Sequence, residues 1–358
     1  MGSSSNPNER VSSFESCQMN DTNYSKMRLE SIISSLREER LISLFVEPTS
    51  NCDLACQFCA MHSTVVDLDD SSEGKFARKS KSRMCYEDFS ILMEMLLSIP
   101  KLKMLQFSGH GEPLLNKSLP KMIALAKEKG VTERIVVTTN GTLLNETKFR
   151  DLIDAGVDEI RVSLDCITPE VYEKVKGADK AEILKDNLLN CLNIMDSINT
   201  NATLIIECIR LKEPGMAGAF SEEEAINRIF GDKVGKTAGA ILRWRDERNW
   251  VGQMGHGQPF LRNKPCEFPF FALFVHSDCR VSSCCADTTQ SFVIGDFREA
   301  EDFRYFINSP ALKELRYSLV NMDFNPICKR CDFSSAVDDE LLASRDLIVR
   351  LLGGEGGI

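Results

Sequence analysis

Three cysteines, Cys52, Cys56 and Cys59, fall within the stretch EPTSNCDLACQFCAMH (47–62), which closes on His62. Three thiolates are one short of a filled tetrahedral metal site. Zinc sites usually draw two Cys or His pairs from distant segments, whereas these donors crowd into one turn, which suits a compact polynuclear centre. A [4Fe–4S] cube has four irons, so three thiolates hold three of them and leave the fourth open to a substrate. For His62 to complete a zinc site instead, one short loop would have to wrap the whole ion. A second set, Cys266, Cys284, Cys328 and Cys331, comes from two distant segments. Its four thiolates suffice for a fully ligated cube or a four-thiolate zinc, and spacing alone does not separate the two. Cys285, beside Cys284, is left over: a buried thiol on the far side of a strand, or a reacting group.

The elements that must position these residues follow from hydrophobic period. LISLFVE (41–47) is β-like and leads into the first cysteines. KMLQFSGHGEP (103–113), RIVVTTNG (134–141), EIRVSLD (159–165), TLIIECIRL (203–211) and AILRWRD (240–246) read as further strands. Between them lie helical patterns at 86–100, 119–130 (closed by Gly130), 145–156, 169–199 and 221–231. Strand and helix alternating about six times predicts parallel βα units, two short of a complete barrel. Sites in such folds form at the C-terminal ends of strands, where each polar motif here lies. After about 255 the period changes: 271–287 alternates like a hairpin, 309–321 is helical, NPICKRCDF (325–333) is a Cys-rich turn and 338–354 an amphipathic helix. The expected divisions are a tail and helix (1–40), a barrel (41–255), a metal-binding unit (256–335) and a terminal helix (336–358).

Composition narrows the class. The 358 residues carry a net charge of −10, which argues against a general nucleic-acid or anionic-membrane binder. No apolar run is long enough to span a bilayer, and no secretory signal is visible, so a cytoplasmic protein is expected. Fourteen cysteines in such a chain fit metal-bound thiolates in a reducing compartment better than disulfides. Cys166, Cys191 and Cys208 sit in apolar segments and read as small core residues. The basic run KFARKSKSR (75–83) is a solvated loop, or a docking site for an acidic electron donor such as flavodoxin. In LRWRDERNW (242–250), Arg243, Arg245 and the carboxylates form a surface patch or orient a polar ligand. His276 and Asp287 flank the hairpin; they could line a pocket, though a lone His there is more often structural.

The first cluster resembles the signature of the radical S-adenosylmethionine (radical SAM) superfamily, C-x3-C-x2-C on the loop after the first barrel strand, and Phe58 before the last cysteine also matches. GHGEP resembles the family's GGEP-type element. The resemblance covers about residues 40–335. It implies a partial (β/α)6 TIM-like barrel with a C-terminal twitch/SPASM-like β-hairpin-plus-helix domain. It implies SAM chelated to the open iron of a [4Fe–4S] cluster held by Cys52, Cys56 and Cys59. Gly109, Gly111, Glu112 and Pro113 would meet the amino group of the methionine part; Asn140, Ser163 and Asp165 would lie near its carboxylate or ribose, with Arg243 a further candidate. It also implies an auxiliary [4Fe–4S] cluster on Cys266, Cys284, Cys328 and Cys331. The usual auxiliary pattern has Gly five residues before the second cysteine, where this chain has Cys279, which leaves the choice of ligand among Cys279, Cys284 and Cys285 open. No cysteine follows Cys331, so the shorter twitch type is expected, with one auxiliary cluster.

The function this implies is a radical SAM oxidoreductase. A 5′-deoxyadenosyl radical would abstract hydrogen from a carbinol carbon of a carbohydrate, cyclitol or aminoglycoside-like substrate, ending in oxidation or epimerisation. Cys285 would be the hydrogen-atom donor in the second case. Two rivals stand beside it: a maturase acting on a ribosomal peptide precursor, for which residues 1–40 are short of a peptide-recognition domain, and a non-catalytic metal-binding scaffold.

Overall fold

The computed structural model describes residues 21–63, 81–210, 219–246, 261–333, 335 and 337–353. Most of KFARKSKSR and the end of LRWRDERNW lie outside the described residues.

The chain alternates as its periods require: α1 (Asp21–Arg37), β1 (Ser43–Val46), α2 (Tyr86–Leu96), β2 (Met104–Phe107), α3 (Leu119–Lys129), β3 (Ile135–Thr139), α4 (Glu146–Asp154), β4 (Glu159–Ser163), α5 (Pro169–Lys176), α6 (Ala181–Ser197), β5 (Thr203–Arg210), α7 (Ala219–Ile226), α8 (Asp232–Lys236) and β6 (Ala240–Asp246). Then follow α9 (Phe268–Phe271), β7 (Ala272–Val275), β8 (Arg280–Ser282), β9 (Val293–Asp296), α10 (Arg304–Ile307), α11 (Pro310–Val320), α12 (Pro326–Lys329), α13 (Asp338–Ala343) and α14 (Arg345–Leu351). Local chemistry sets the ends. Asn145 caps α4 by accepting the Lys148 N–H. Gly130 ends α3 in the left-handed region, as its C′ position predicts. The helical pattern at 169–199 is two helices, split where Gly177 turns at φ +70°.

The strands form one sheet in the order β6-β5-β4-β3-β2-β1-β7-β8-β9. β1 to β6 are parallel neighbours, the open (β/α)6 barrel expected, and β7 to β9 add the antiparallel C-terminal meander. The sequence reading missed two points: β7 joins the barrel sheet by pairing parallel with β1, and β9 adds a third strand to the hairpin.

Strand alternation separates two chemistries. Leu105 and Phe107, Ile135 and Val137, Ile160 and Val162, and Leu204, Ile206 and Cys208 are buried in the main core. Cys166 and Cys191 lie there too, so the three apolar-segment thiols are core residues. The alternate positions form the concave face: Gln106, Thr138, Arg161, Ser163, Glu207, Arg243 and Arg245. A second apolar cluster joins α1, α9, α11, α13 and α14 and packs Phe45 of β1 against it.

Candidate functional site

The loop after β1 carries Cys52, Cys56 and Cys59, all half-buried. Its neighbours fix its path. The Ala55 and Gln57 N–H groups donate to the carbonyls of Lys176 (3.0 Å) and Val175 (2.8 Å) at the end of α5. Asp53 accepts from Asn140 Nδ2 (2.8 Å), Thr142 Oγ1 (2.6 Å) and Lys180 Nζ (2.7 Å). Asn140 Nδ2 also lies 3.9 Å from Cys52 Sγ. The GHGEP loop packs from the other side so closely that a Cβ on Gly111 would lie 2.3 Å from the Thr49 carbonyl, and one on Gly109 2.6 Å from Glu47 Cγ.

The polar motif residues gather around this loop. Glu112 is fully buried and accepts from Thr139 Oγ1 (2.6 Å), the Asn140 N–H (2.7 Å) and the Leu114 N–H (2.9 Å); burial pushes its carboxyl up to about 7 against these donors. Pro113 follows, opening a short 3-10 turn. Asp165, at φ +60°, is buried in an ion pair with Lys176 and accepts the Ile209 N–H at 2.9 Å. Glu112 and Asp165 therefore face protein donors and hold the strand ends. Ser163 ends β4 half-buried on the concave face. Lys176 Nζ stands 5.2 Å from the Phe58 ring. Arg243 donates to Glu207 (3.2 Å), as does Arg245 (2.7 Å).

The second thiol set converges from the start of α9, the end of the β8 hairpin and the α12 turn. Cys331 lies within electrostatic reach of Cys266, Cys284, Cys285 and Cys328. Arg262, a residue the sequence reading overlooked, ties these segments together. Its backbone N–H donates to the Lys329 carbonyl (2.8 Å), Nη1 donates to the carbonyls of Lys264 and Pro265, and Nη2 reaches Cys331 Sγ at 3.8 Å. Cys279 is elsewhere. It is buried in the turn before β8, at φ +73°, with Asp88, Arg298 and Asp296 as its charged neighbours. That backbone is the left-handed one that favours glycine, the residue that the family resemblance sets at this position.

A buried polar latch, also unread from the sequence, links the two halves. Glu47, at the end of β1, accepts from the His110 N–H (2.9 Å) and from the N–H (3.0 Å) and Oγ (2.7 Å) of Ser277, in the β7–β8 turn. His110 Nε2 lies 3.1 Å from the Cys285 carbonyl, and His62 Nε2 lies 2.8 Å from the His110 carbonyl. His62 is thus engaged with the GHGEP loop. The available sequence signal was the charged residue ending an otherwise apolar strand. His276 is fully buried against Phe274 and His110. Asp287, also buried, accepts from Thr289 and Phe292 within its own turn.

Burial pushes the Cys52 thiol up to about 12, Cys56 and Cys328 up to about 11, and Cys266 and Cys284 well above the ordinary range. Thiolates in such places need cationic partners, a charge that bound iron would supply. A surface cleft of about 720 Å³, lined by Arg83, Cys85, Lys117 and Lys121 among others, includes none of the expected site residues.

Residues 46–207 match the radical SAM superfamily, and residues 266–332 match an iron-sulfur cluster-binding domain, SPASM. The chain belongs to the radical SAM superfamily, of the SPASM or twitch type. Membership brings a [4Fe–4S] cluster used with SAM and an auxiliary iron–sulfur cluster. Among curated relatives, a tungsten-containing aldehyde ferredoxin oxidoreductase cofactor-modifying protein of Pyrococcus furiosus is 26% identical over 171 residues, 48% of this chain and 44% of the relative. A probable GTP 3',8-cyclase of Methanococcus maripaludis is 32% identical over 159 residues, 44% of this chain and 47% of the relative. The chain spans about half the length of the curated relatives it matches. Among solved structures, BtrN in complex with AdoMet and 2-DOIA superposes with a TM-score of 0.54 at 18% identity, over 83% of this chain and 95% of that one. SuiB of Streptococcus suis, bound to precursor peptide SuiA, gives 0.54 at 11% identity, over 90% and 76%. At these identities the likeness is one of fold. Among the described residues no helix is long and apolar enough to cross a membrane.

Proposed function

We propose that the chain is a radical SAM oxidoreductase that removes hydrogen from a carbinol carbon of a polyol-like small molecule, a carbohydrate or cyclitol. The observation that carries this reading is the pair of thiol sets on segments next to the paired strands β1 and β7: Cys52, Cys56 and Cys59 after β1, and Cys266, before β7, with Cys284, Cys328 and Cys331 after β8. When bound, the first cluster and SAM supply a 5′-deoxyadenosyl radical by one-electron reductive cleavage.

The remaining work falls to the chain's own residues. Cys52, Cys56 and Cys59 hold the first cluster, and Phe58 with Lys176 walls it. Glu112 fixes the backbone of Asn140 and of its own loop, so Gly109, Gly111 and Pro113 present main chain toward the amino group of the methionine part of SAM. Asn140, Ser163 and Asp165 bound the space for its carboxylate and ribose, with Arg243 beyond. The barrel excludes water from a reactive radical. Loss of one hydrogen atom leaves one electron and one proton still to leave before a ketone forms. Cys285 packs against the apolar cluster that also takes Cys266 and Cys328, a position that favours oxidation, with a second electron acceptor nearby, over hydrogen donation into the barrel. A reductant such as flavodoxin supplies the first electron.

Dithionite and SAM added to reconstituted protein should release 5′-deoxyadenosine, and two cubes should give about eight irons and eight sulfides per chain. Two zincs, or no release from an iron-replete protein, would sink the reading in favour of a scaffold. In deuterated solvent an epimerase places one deuterium at the inverted carbon. If Cys285→Ala abolishes such incorporation, the epimerase branch with Cys285 as donor replaces the oxidase branch.

A further inference from the structure

The chain as a whole carries a charge of −10, yet the concave face of β4 to β6 is rich in arginine. In-register pairing puts Arg161 of β4 beside Ile205 and Thr138, Ser163 beside Glu207, Glu207 beside Arg243, and Arg245 one pleat further along β6. Side chains two residues apart on a strand share a face. Arg161, Arg243 and Arg245 therefore project together, on the face opposite Leu204, Ile206, Leu242 and Trp244, which pack on the helix side. The described carboxylates on that face are Glu159, which pairs with Arg161 and Arg134, and Glu207.

Glu207 is the informative partner. Its Oε1 accepts from both Arg243 Nη1 (3.2 Å) and Arg245 Nη2 (2.7 Å). One carboxylate oxygen thus sits between two guanidiniums, each a rigid fork of five N–H donors built for planar oxyanions. Arg161 adds a third cation close enough to disfavour further positive charge at Arg245, whose guanidinium is held below its usual range by burial and by Arg243 and Arg161. Arg243 and Arg245 keep 37% and 50% of their side chains open, so guanidinium surface not taken by Glu207 remains accessible.

We propose that Arg245, with Arg243 and Arg161, binds an anionic group of the substrate, a phosphate or a carboxylate, in the barrel concavity. The inference rests on the radical SAM reading for its site and narrows its substrate class: an acidic or phosphorylated polyol fits, and a polycationic aminoglycoside does not. Arg245 acts as a substrate-positioning residue, orienting the carbinol carbon through an anchor on the same molecule.

The test uses reconstituted holoenzyme with SAM bound, under anaerobic calorimetry, with inorganic pyrophosphate in one arm and malonate in the other. Stoichiometric millimolar or tighter binding of one anion is expected, and the preferred arm tells a phosphorylated substrate from an acidic one. Loss of one charged anchor should weaken it roughly tenfold or more in Arg245→Gln, with Arg245→Lys recovering part of the loss. SAM affinity and iron content should stay at wild-type levels in both variants, which separates the site from a folding defect. Binding of neither anion, unchanged binding in Arg245→Gln, or loss of SAM together with the anion overturns the proposal; the last would assign the arginines to the cofactor's carboxylate. Absence of 5′-deoxyadenosine from wild-type protein would instead overturn the radical SAM chemistry, whatever the anion result.

Discussion

Cys279 shows how one residue can mislead and then be placed. Its position in sequence makes it a rival of Cys284 for the auxiliary cluster, but its thiol is buried near Asp88 and Arg298 and its backbone is left-handed. Relief of that conformation is worth about 1–2 kcal/mol, offset by the lost packing of a small buried thiol. Cys279→Gly should therefore change stability little and keep the full iron content, whereas Cys284→Ala should lose about half the iron. Iron and sulfide assays on both variants check this, and loss of iron in Cys279→Gly would exchange their roles. Glu47 and His110 carry a similar lesson. Glu47 reads as the charged end of an apolar strand, and only its partners, His110 and Ser277, identify it as the joint between two loops 63 and 230 residues away.

At the scale of elements, the first cluster loop is held by the C-terminus of α5 rather than by its own strand alone. Gly177 makes this possible. It turns at φ +70°, and a Cβ there would stand 2.8 Å from the Ala55 carbonyl, between Cys52 and Cys56. A residue with a side chain at a left-handed position facing backbone must strain or displace that backbone. Gly177→Ala should cost at least about 1–2 kcal/mol and lower occupancy of the SAM-binding cluster while sparing the auxiliary one. Thermal unfolding and electron paramagnetic resonance of the two reduced clusters measure these outcomes separately; a variant with wild-type stability and both signals intact would show that the close approach is not needed.

At the scale of the molecule, barrel and cluster-binding segment share one sheet and one core. β1 is paired on both sides, with β2 and with β7. The main core mixes Phe89, Phe107 and Leu92 of the barrel with Val281, Phe297, Phe303 and Phe306 of the C-terminal part. Ending the chain at residue 263 would bare the inner edge of β1 and this shared apolar surface, an aggregation-prone combination. The shortened chain should be insoluble or lack a cooperative unfolding transition by circular dichroism. A soluble, cooperatively folded barrel would show that the C-terminal part is an independent appendage.

By itself the sequence determined what local chemistry encodes. Period-two and helical patterns marked the six barrel strands and their helices, Gly130 marked a helix end, and C-x3-C-x2-C with GHGEP marked the cluster loop and its neighbour. These are legible because strand pleat, helix capping and ligand spacing act over a few residues. The tertiary structure alone decided what depends on distant partners: the parallel pairing of β7 with β1, the Glu47–His110–Ser277 latch, the Arg262 tie between the auxiliary cysteines, and the arginines gathered on one concave face. Register across a sheet and the convergence of loops are set by the packing of the whole core, and no short segment carries that information.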